Sequence, residues 1–445
     1  MHFRWNSATV WGVALLAFAV PARAEIIVDK AIIVSRHGVR PPTNQKTLNP
    51  LSVDPWPSWS VPDGDLTPHG AAAAELMGRY YRSRLSKAGL LDAGQCPSAR
   101  EVFAWADKAD RTRLTADALL EGLHPGCGLK AGVNEQTASA LFHPVVAGVA
   151  KVDQDAARQG IMKALGGSID AGKARYAREF GRLAKTLHGP TQAACAKAKL
   201  QAGCSLIDLP WTLASISDGR SITLRGPLNW ASTIGEVIRM EYANDFPLDR
   251  VAWGRIADAE EVKSVLALHK AYYDVTLRVP AIARPSASQI LNQVSLSLRD
   301  GTAMAKPGGP PSAKVVLFVG HDTNIATMQA AMSVRWSLPG YPENDTPPGG
   351  AFLFERLRDV TNGLLSVRLS YLAQSLDQIR NLMPLTDASE GPEVAVLTLP
   401  GCPPAPASCS LEIFSAGLET SIDQDALGPI SYQPEIPHRK TETVD

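Results

Sequence analysis

The sequence predicts an α/β protein: a mostly parallel sheet with flanking helices, carrying an inserted, mainly helical domain. Three observations predict it. Residues 31–35 (AIIVS), 101–106 (EVFAWA) and 314–319 (KVVLFV) are short, continuous apolar runs, the pattern of strands buried on both faces in a parallel sheet. Helix-length segments follow or separate them. Between about Lys151 and Ala283 strong strand runs are missing while helix-length stretches recur. With 445 residues, 45% hydrophobic and 20% charged, the chain is globular, and disorder, collagen and coiled coil are excluded. Lys plus Arg equals Asp plus Glu at 44 each, so the surface is not built to grip nucleic acid or an anionic membrane with its whole area.

The elements are justified in chain order. Residues 1–24 have a short basic start with Arg4, an apolar run Val10–Val20 too short to span a bilayer, and Ala22-Arg23-Ala24 with small residues flanking a cleavage point. That is the layout of a secretory signal peptide, and it predicts an exported mature chain starting at Glu25, in a bacterial periplasm. The six cysteines all follow it. Spacing favours Cys96 with Cys127, Cys195 with Cys204 and Cys402 with Cys409, each closing a short loop in an oxidising compartment. C-x-x-C spacing does not occur, which argues against zinc.

The first strand run stops at Arg36-His37-Gly38. A helix is expected from Thr67, a cap followed by Pro68, to Leu85. The run 101–106 stops at a charged cluster, Asp107 to Arg113, with a helix expected from Thr112 to Leu123. Helices are expected at Trp230–Tyr242 and Glu260–Val279 in the inserted region, 151–283. The flanking segments 25–150 and 284–445 form the α/β domain on this reading. The run 314–319 stops at Gly320-His321-Asp322, and the turn-rich segment 342–350 is placed as a rim. Three strands that end on polar clusters can face one crevice, since open α/β sheets bind ligands beyond their carboxyl ends.

The chemistry concentrates at 36–43, RHGVRPPT. Arg36 and Arg40 flank His37, and guanidinium groups match phosphate oxygens. A histidine among such cations resists protonation, which leaves its imidazole free as a nucleophile. Gly38 removes a side chain where a bulky group must approach, and Thr43 can add a hydrogen bond. GHDTN at 320–324 supplies His321 for phosphate and Asp322 to protonate a departing alkoxide. DRTR at 110–113 supplies Arg111, with Asp110 and Arg113 as supporting charges. The bland alternatives are a basic surface loop, an Asx-type helix cap and a solvated charge run. Motifs of rival phosphate chemistries are missing, namely the G-x-x-x-x-G-K-[ST] loop, the C-x5-R thiol loop, the D-x-D-x-[TV] aspartate and a paired-metal carboxylate cluster. The G-x-S-x-G elbow is missing too.

On these residues the chain resembles the histidine acid phosphatases, branch 2 of the histidine phosphatase superfamily, which includes bacterial periplasmic phytases and glucose-1-phosphatases. DLTPHG (65–70), LFHPV (141–145), WGRI (253–256) and DTPPGGAFLFER (345–356) add to the likeness. The resemblance implies an α/β domain plus a helical domain with the site in the cleft between them. It implies that His37 forms a phosphohistidine and that Arg36, Arg40, Arg111 and His321 hold the phosphate. Asp322 would protonate the leaving group and then assist water. It implies no metal and no cofactor, because arginines bring the positive charge.

For the substrate, the resemblance points to Asn44, Glu236 and Thr323. Asn44 stands where phytases often carry Lys, and Ser286 replaces an arginine. Each lost cation weakens the case for a substrate with many phosphates, whereas Asp322-Thr323 and Glu236 resemble phytases. Phytase-type action with broad phosphomonoesterase activity is the favoured reading; a glucose-1-phosphatase-like or sugar-phosphate acid phosphatase is the alternative. A phosphate-binding protein without turnover and a mutase-like enzyme complete the set. The expected partner is a small phosphate monoester, bound by a monomer that engages neither nucleic acid nor membrane.

Overall fold

The computed structural model describes residues 1–2, 25–92, 94–134, 138–385, 390–406 and 408–433. The segment read as a signal peptide lies almost wholly outside these residues. The described strands are β1 (Ile26–Arg36), β2 (Val102–Ala106), β3 (Gly132–Val133), β4 (Thr212–Ile216), β5 (Ser221–Arg225), β6 (Val315–Gly320), β7 (Ala351–Asp359), β8 (Leu365–Ala373), β9 (Glu393–Leu397) and β10 (Cys409–Ser410). The helices are α1 (Pro68–Lys87), α2 (Asp110–Leu123), α3 (Gln154–Leu165), α4 (Ile169–Thr186), α5 (Gln192–Lys197), α6 (Pro227–Ala243), α7 (Ala259–Val265), α8 (Ala267–Val275), α9 (Pro280–Arg299), α10 (Asp322–Ala331), α11 (Leu376–Arg380) and α12 (Leu411–Ser421).

The expected strand runs become β1, β2 and β6, and they are neighbours. The main sheet runs β10-β8-β7-β1-β6-β2-β3, with β9 also on β8. The β1/β6, β6/β2 and β2/β3 pairs are parallel; the β7 side is antiparallel. Parallel pairing in register, with Arg36 opposite Gly320 and Ala106 opposite Val319, brings the three polar strand ends to one edge. Alternation along β1 divides the core. Ile32 and Val34 join Phe318, Phe352 and Phe354 on one face, while Ala31 and Ile33 join Leu317, Met77 and Leu119 on the other, under α1 and α2.

The main sheet is built wholly from residues outside 151–283. That segment contributes α3 to α8 and a separate hairpin of β4 and β5. The stretch 260–279, read as one helix, is divided into α7 and α8: Leu266 caps both, and Thr276 leaves helical geometry at φ −125°, ψ −80°. Helix α9 runs unbroken across position 284, where the α/β segment was taken to resume.

Thr67 caps α1 by accepting from the Gly70 N–H at 2.9 Å, with Pro68 in the first turn. Helices α1 and α2 touch through Gly78 and Gly122. A methyl group on Gly122 would sit 2.0 Å from the Glu75 carbonyl oxygen, and one on Gly78 would sit 2.2 Å from that of Leu119. Gly122→Ala therefore forces the helices apart. We expect a stability loss of about 1–3 kcal/mol, read as a lower urea midpoint at unchanged slope. A midpoint equal to wild type would contradict this packing.

All three cysteine pairs form as spacing suggested, with Cα–Cα distances of 5.5, 5.9 and 5.2 Å for Cys96–Cys127, Cys195–Cys204 and Cys402–Cys409. Among the described residues no helix is long and apolar enough to cross a membrane.

Candidate active site

The nucleophile candidate is set by the end of β1. The His37 N–H donates to the Gly320 carbonyl at 3.0 Å, and the His37 carbonyl accepts from Gly349 at 3.1 Å, so the residue is pinned between β6 and the 342–350 loop. His37 is 1% exposed. Its Nδ1 lies 2.8 Å from the Gly38 carbonyl oxygen. A carbonyl only accepts, so Nδ1 carries the proton and Nε2 presents a lone pair. Burial, then the charges of Arg36, Arg40 and Arg111, hold the imidazole well below its usual range, and the ring is neutral.

Gly38 serves packing against α1 rather than the approach of a ligand. A methyl there would meet the Gly70 carbonyl oxygen and Leu66 at 3.0 Å each. The Gly38 N–H donates to Thr115 Oγ1 at 2.9 Å, which ties the nucleophile loop to α2.

Arg36 is completely buried. It donates to the Thr346 carbonyl and to Glu236 Oε1, and its Nη2 lies 3.1 Å from Asp322 Oδ2. Its Nε has no partner. Arg40 is partly exposed, donates to the Pro41 carbonyl at 2.9 Å and also keeps a partnerless Nε. Burial lowers it to about 10, still charged at any physiological pH. Arg111, on the first turn of α2, reaches His321 Nδ1 at 3.4 Å and the Gly64 carbonyl at 3.4 Å, and its Nε is likewise unpaired. Three guanidiniums with spare buried donors beside a neutral imidazole make a cradle for a tetrahedral anion. The N-termini of α2 and α10 open onto the same edge and add favourable dipoles.

His321 caps α10, its N–H donating to Asn324 Oδ1 at 2.9 Å. Its Nε2–H donates to Asp107 Oδ2 at 2.8 Å, which leaves Nδ1 as the acceptor facing Arg111. Burial keeps the ring neutral in spite of that carboxylate. Asp107 also accepts from His143 Nε2 at 3.3 Å. Burial would raise its pKa, but the two histidines overrule burial and hold it far below the ordinary carboxylate range.

Asp322, the first residue of α10, accepts from the Thr323 N–H at 2.7 Å. Burial raises its pKa, yet the nearby Arg36 and Arg40 charges bring the net value below normal. Thr43 and Asn44 lie exposed on the outer lip; Asn44 starts a short 3-10 turn, its carbonyl accepting from Thr47. Arg284 points elsewhere, donating to the Ile422 carbonyl at 2.9 Å.

Glu236, expected on the substrate side, is 5% exposed with both carboxylate oxygens occupied, Oε1 by Arg36 and Oε2 by Arg239. Arg239 in turn bonds Asp345 at 2.5 Å. Glu236 therefore acts by holding Arg36 and by its charge on Arg40 and Asp322. Asp110 and Arg113 pair with each other at 2.6 Å on the outer face of α2 instead of supporting Arg111. Sequence reasoning missed the partners that do the supporting: Asp107, Arg239, Asp345 and the Thr346 carbonyl. Asp107 was inside the charged cluster, but only the strand end, where its N–H donates to the Val319 carbonyl at 3.0 Å, selects it over Asp110.

A neutral imidazole with a free Nε2, a cage of guanidiniums and an adjacent carboxyl define a phosphoric monoester hydrolase that works through histidine. Comparison with known proteins agrees. Residues 27–187 and 235–372 match the histidine phosphatase superfamily (branch 2), and the chain belongs to that family. It is similar to phytase AppA of Escherichia coli (strain K12), 35% identical over 407 residues, covering 90% of this chain and 93% of that protein. It is also similar to a glucose-1-phosphatase of Salmonella typhimurium, 30% identical over 424 residues, covering 93% and 98%. Among solved structures, Hafnia alvei phytase in complex with tartrate superposes with a TM-score of 0.83 at 34% identity, covering 92% of this chain and all of that one.

Proposed function

We propose that this chain is an acid phosphomonoesterase of phytase type, acting through a phosphohistidine on His37. The observation that carries the reading is the fixed tautomer of His37, with its Nε2 lone pair inside a cationic cradle. Nε2 attacks phosphorus in line, the P–O ester bond breaks, and Asp322 gives its proton to the departing oxygen. Arg36, Arg40, Arg111 and His321 hold the equatorial oxygens, where negative charge shifts in the transition state, and Thr43 offers a further hydrogen bond. Phosphorylation leaves the ring with its Nδ1 proton, which the Gly38 carbonyl continues to accept. Water then attacks phosphorus, ionised Asp322 takes its proton, and inorganic phosphate leaves with His37 restored. The 151–283 segment, which carries Glu236, serves as the second wall of the cleft. The disulfides and the basic-then-apolar leader support export to a periplasm.

Phytate is the favoured substrate, on the likeness to phytases across nearly the whole chain, with Asn44 and Thr323 meeting its outer parts. A glucose-1-phosphatase-like preference is supported by the neutral Asn44, by Ser286 and by the engagement of Arg284 away from the site. Comparing kcat/KM on phytate and on glucose 1-phosphate separates the two. We expect phytate to be preferred at least about tenfold, about 1.4 kcal/mol; a preference for glucose 1-phosphate would reverse the assignment.

A further inference from the structure

One cluster of metal-ligating groups is not used by the hydrolytic chemistry as a cluster. Asp107, His143 and His321 offer ligand atoms that all lie within 4.8 Å of one another. Two imidazole Nε2 atoms converge on one carboxylate oxygen, at 2.8 and 3.3 Å. The other oxygen, Asp107 Oδ1, is buried without a partner. Asp107 is 4% exposed, and that oxygen, shielded from bulk solvent and bonded to no protein donor, is available as a ligand. The His143 side chain is 32% exposed and opens a route from solvent to an otherwise closed group. Two nitrogens and a carboxylate with one position left over form the donor set of an open tetrahedral zinc site. Each imidazole nitrogen is about 3 Å from the carboxylate oxygen and all the ligand atoms lie within 4.8 Å of one another, so side-chain shifts on the order of 1 Å bring them around an ion with bonds of about 2.0–2.2 Å.

We propose that Asp107, His143 and His321 form an inhibitory zinc site in the wall of the phosphate cradle. Zinc exchanges bound waters for His143 Nε2, His321 Nε2 and an Asp107 oxygen. Each imidazole must present its lone pair at Nε2, so the Nε2 protons that His321 and His143 donate to Asp107 each reappear on the Nδ1 of the same ring through solvent, with no net change of charge on either ring. The resting hydrogen bond from Arg111 to Nδ1 is then lost, because two donors face each other. The two hydrogen bonds to Asp107 are replaced by a metal bond. The cradle loses the geometry in which Arg111 and His321 are held together, and turnover falls. Arg111 repels the ion, and the Asp107 carboxylate offsets that repulsion. The inhibitory half of this inference rests on the hydrolase reading; the binding half does not.

The test uses the full chain at about pH 7. Zinc alone is titrated by calorimetry, and turnover of p-nitrophenyl phosphate, a poor chelator, is followed over the same zinc range. Wild type is expected to take up one zinc per chain, with turnover falling in parallel and returning on adding EDTA. His143→Asn keeps an N–H that can donate to Asp107 but removes the nitrogen ligand. It should need at least about tenfold more zinc for half-inhibition and show no stoichiometric uptake. Lack of stoichiometric uptake by wild type, or wild-type uptake by His143→Asn, overturns the site. If wild type binds one zinc yet hydrolyses no ester, the hydrolase reading fails and the site stands. If it hydrolyses esters at an unchanged rate with zinc bound, inhibition is refuted.

Discussion

His37→Ala lowers kcat on any phosphate monoester by about 10⁴-fold or more, equivalent to about 5 kcal/mol of transition-state stabilisation, while leaving the fold intact. Among the described residues no other group is placed to replace it. His321 is the nearest imidazole, with ring centroids 5.6 Å apart, but its Nε2 is committed to Asp107 and its Nδ1 to Arg111. A residual rate from the cradle alone is expected, since bound charge still stabilises the leaving phosphoryl group. Two measurements check the prediction. Rapid acid quench of wild type with labelled ester should recover an acid-labile phosphoryl group on the 36–43 peptide. The variant should bind inorganic phosphate at least as well as wild type, because the guanidiniums that hold it are untouched. A variant retaining turnover within about tenfold of wild type, or turnover without a labelled peptide, would sink the covalent mechanism.

How much of this was legible before the structure depends on which residues speak locally. Strands β1, β2 and β6 were readable because burial on both faces demands unbroken apolar runs, and the helix at Thr67-Pro68 was readable from its cap. Strands β7 and β8 were not placed. Strand β7 carries Glu355 and Arg356 deep in the sheet, 1% and 5% exposed, where they are held by Arg84, Arg368 and Asp29. A charged pair in mid-run conceals a buried strand unless its distant partners are known. The β4–β5 hairpin had a local signal that went unused: Asp218-Gly219 sits between the two runs with positive φ at both residues.

The site divides the same way. Arg36, His37, Arg40, Arg111, His321 and Asp322 declared themselves by type and spacing next to strand ends. The chain of charges behind them did not. Asp345 reaches Arg239, Arg239 reaches Glu236, and Glu236 reaches Arg36; only the Glu236–Arg239 link has a helical i,i+3 spacing, and the other two cross sequence gaps that leave no periodic trace. This buried relay is an uneven ledger of desolvation against attraction, and removing one member leaves the next uncompensated. It gives Arg36 a fixed position beside Asp322, which no motif announces.

That position makes Asp322→Asn the most discriminating variant. In the free enzyme the charges of Arg36, at 3.1 Å, and Arg40 hold the Asp322 carboxyl below its usual range, against burial and the negative charge of Glu236; His269 also faces it. An acid catalyst must hold its proton, so activity falls as pH rises through the pKa of this carboxyl. A bound ester brings negative charge beside Asp322 and occupies the guanidiniums, which raises that pKa. The falling limb of kcat should therefore lie at higher pH than that of kcat/KM, which reports the free enzyme. Loss of the carboxyl should reduce kcat on alkyl phosphates by about 10²–10⁴-fold, because an alkoxide cannot leave unprotonated. Nitrophenolate needs no proton to leave, so p-nitrophenyl phosphate should still phosphorylate His37 in the variant. Hydrolysis of the intermediate also lacks its base, and the expected trace is a burst close to one nitrophenolate per chain followed by slow turnover. Alkyl esters should give no burst. Equal loss on both ester classes with no burst on either would show that Asp322 serves neither step as acid or base, and would leave it only a structural partner of Arg36.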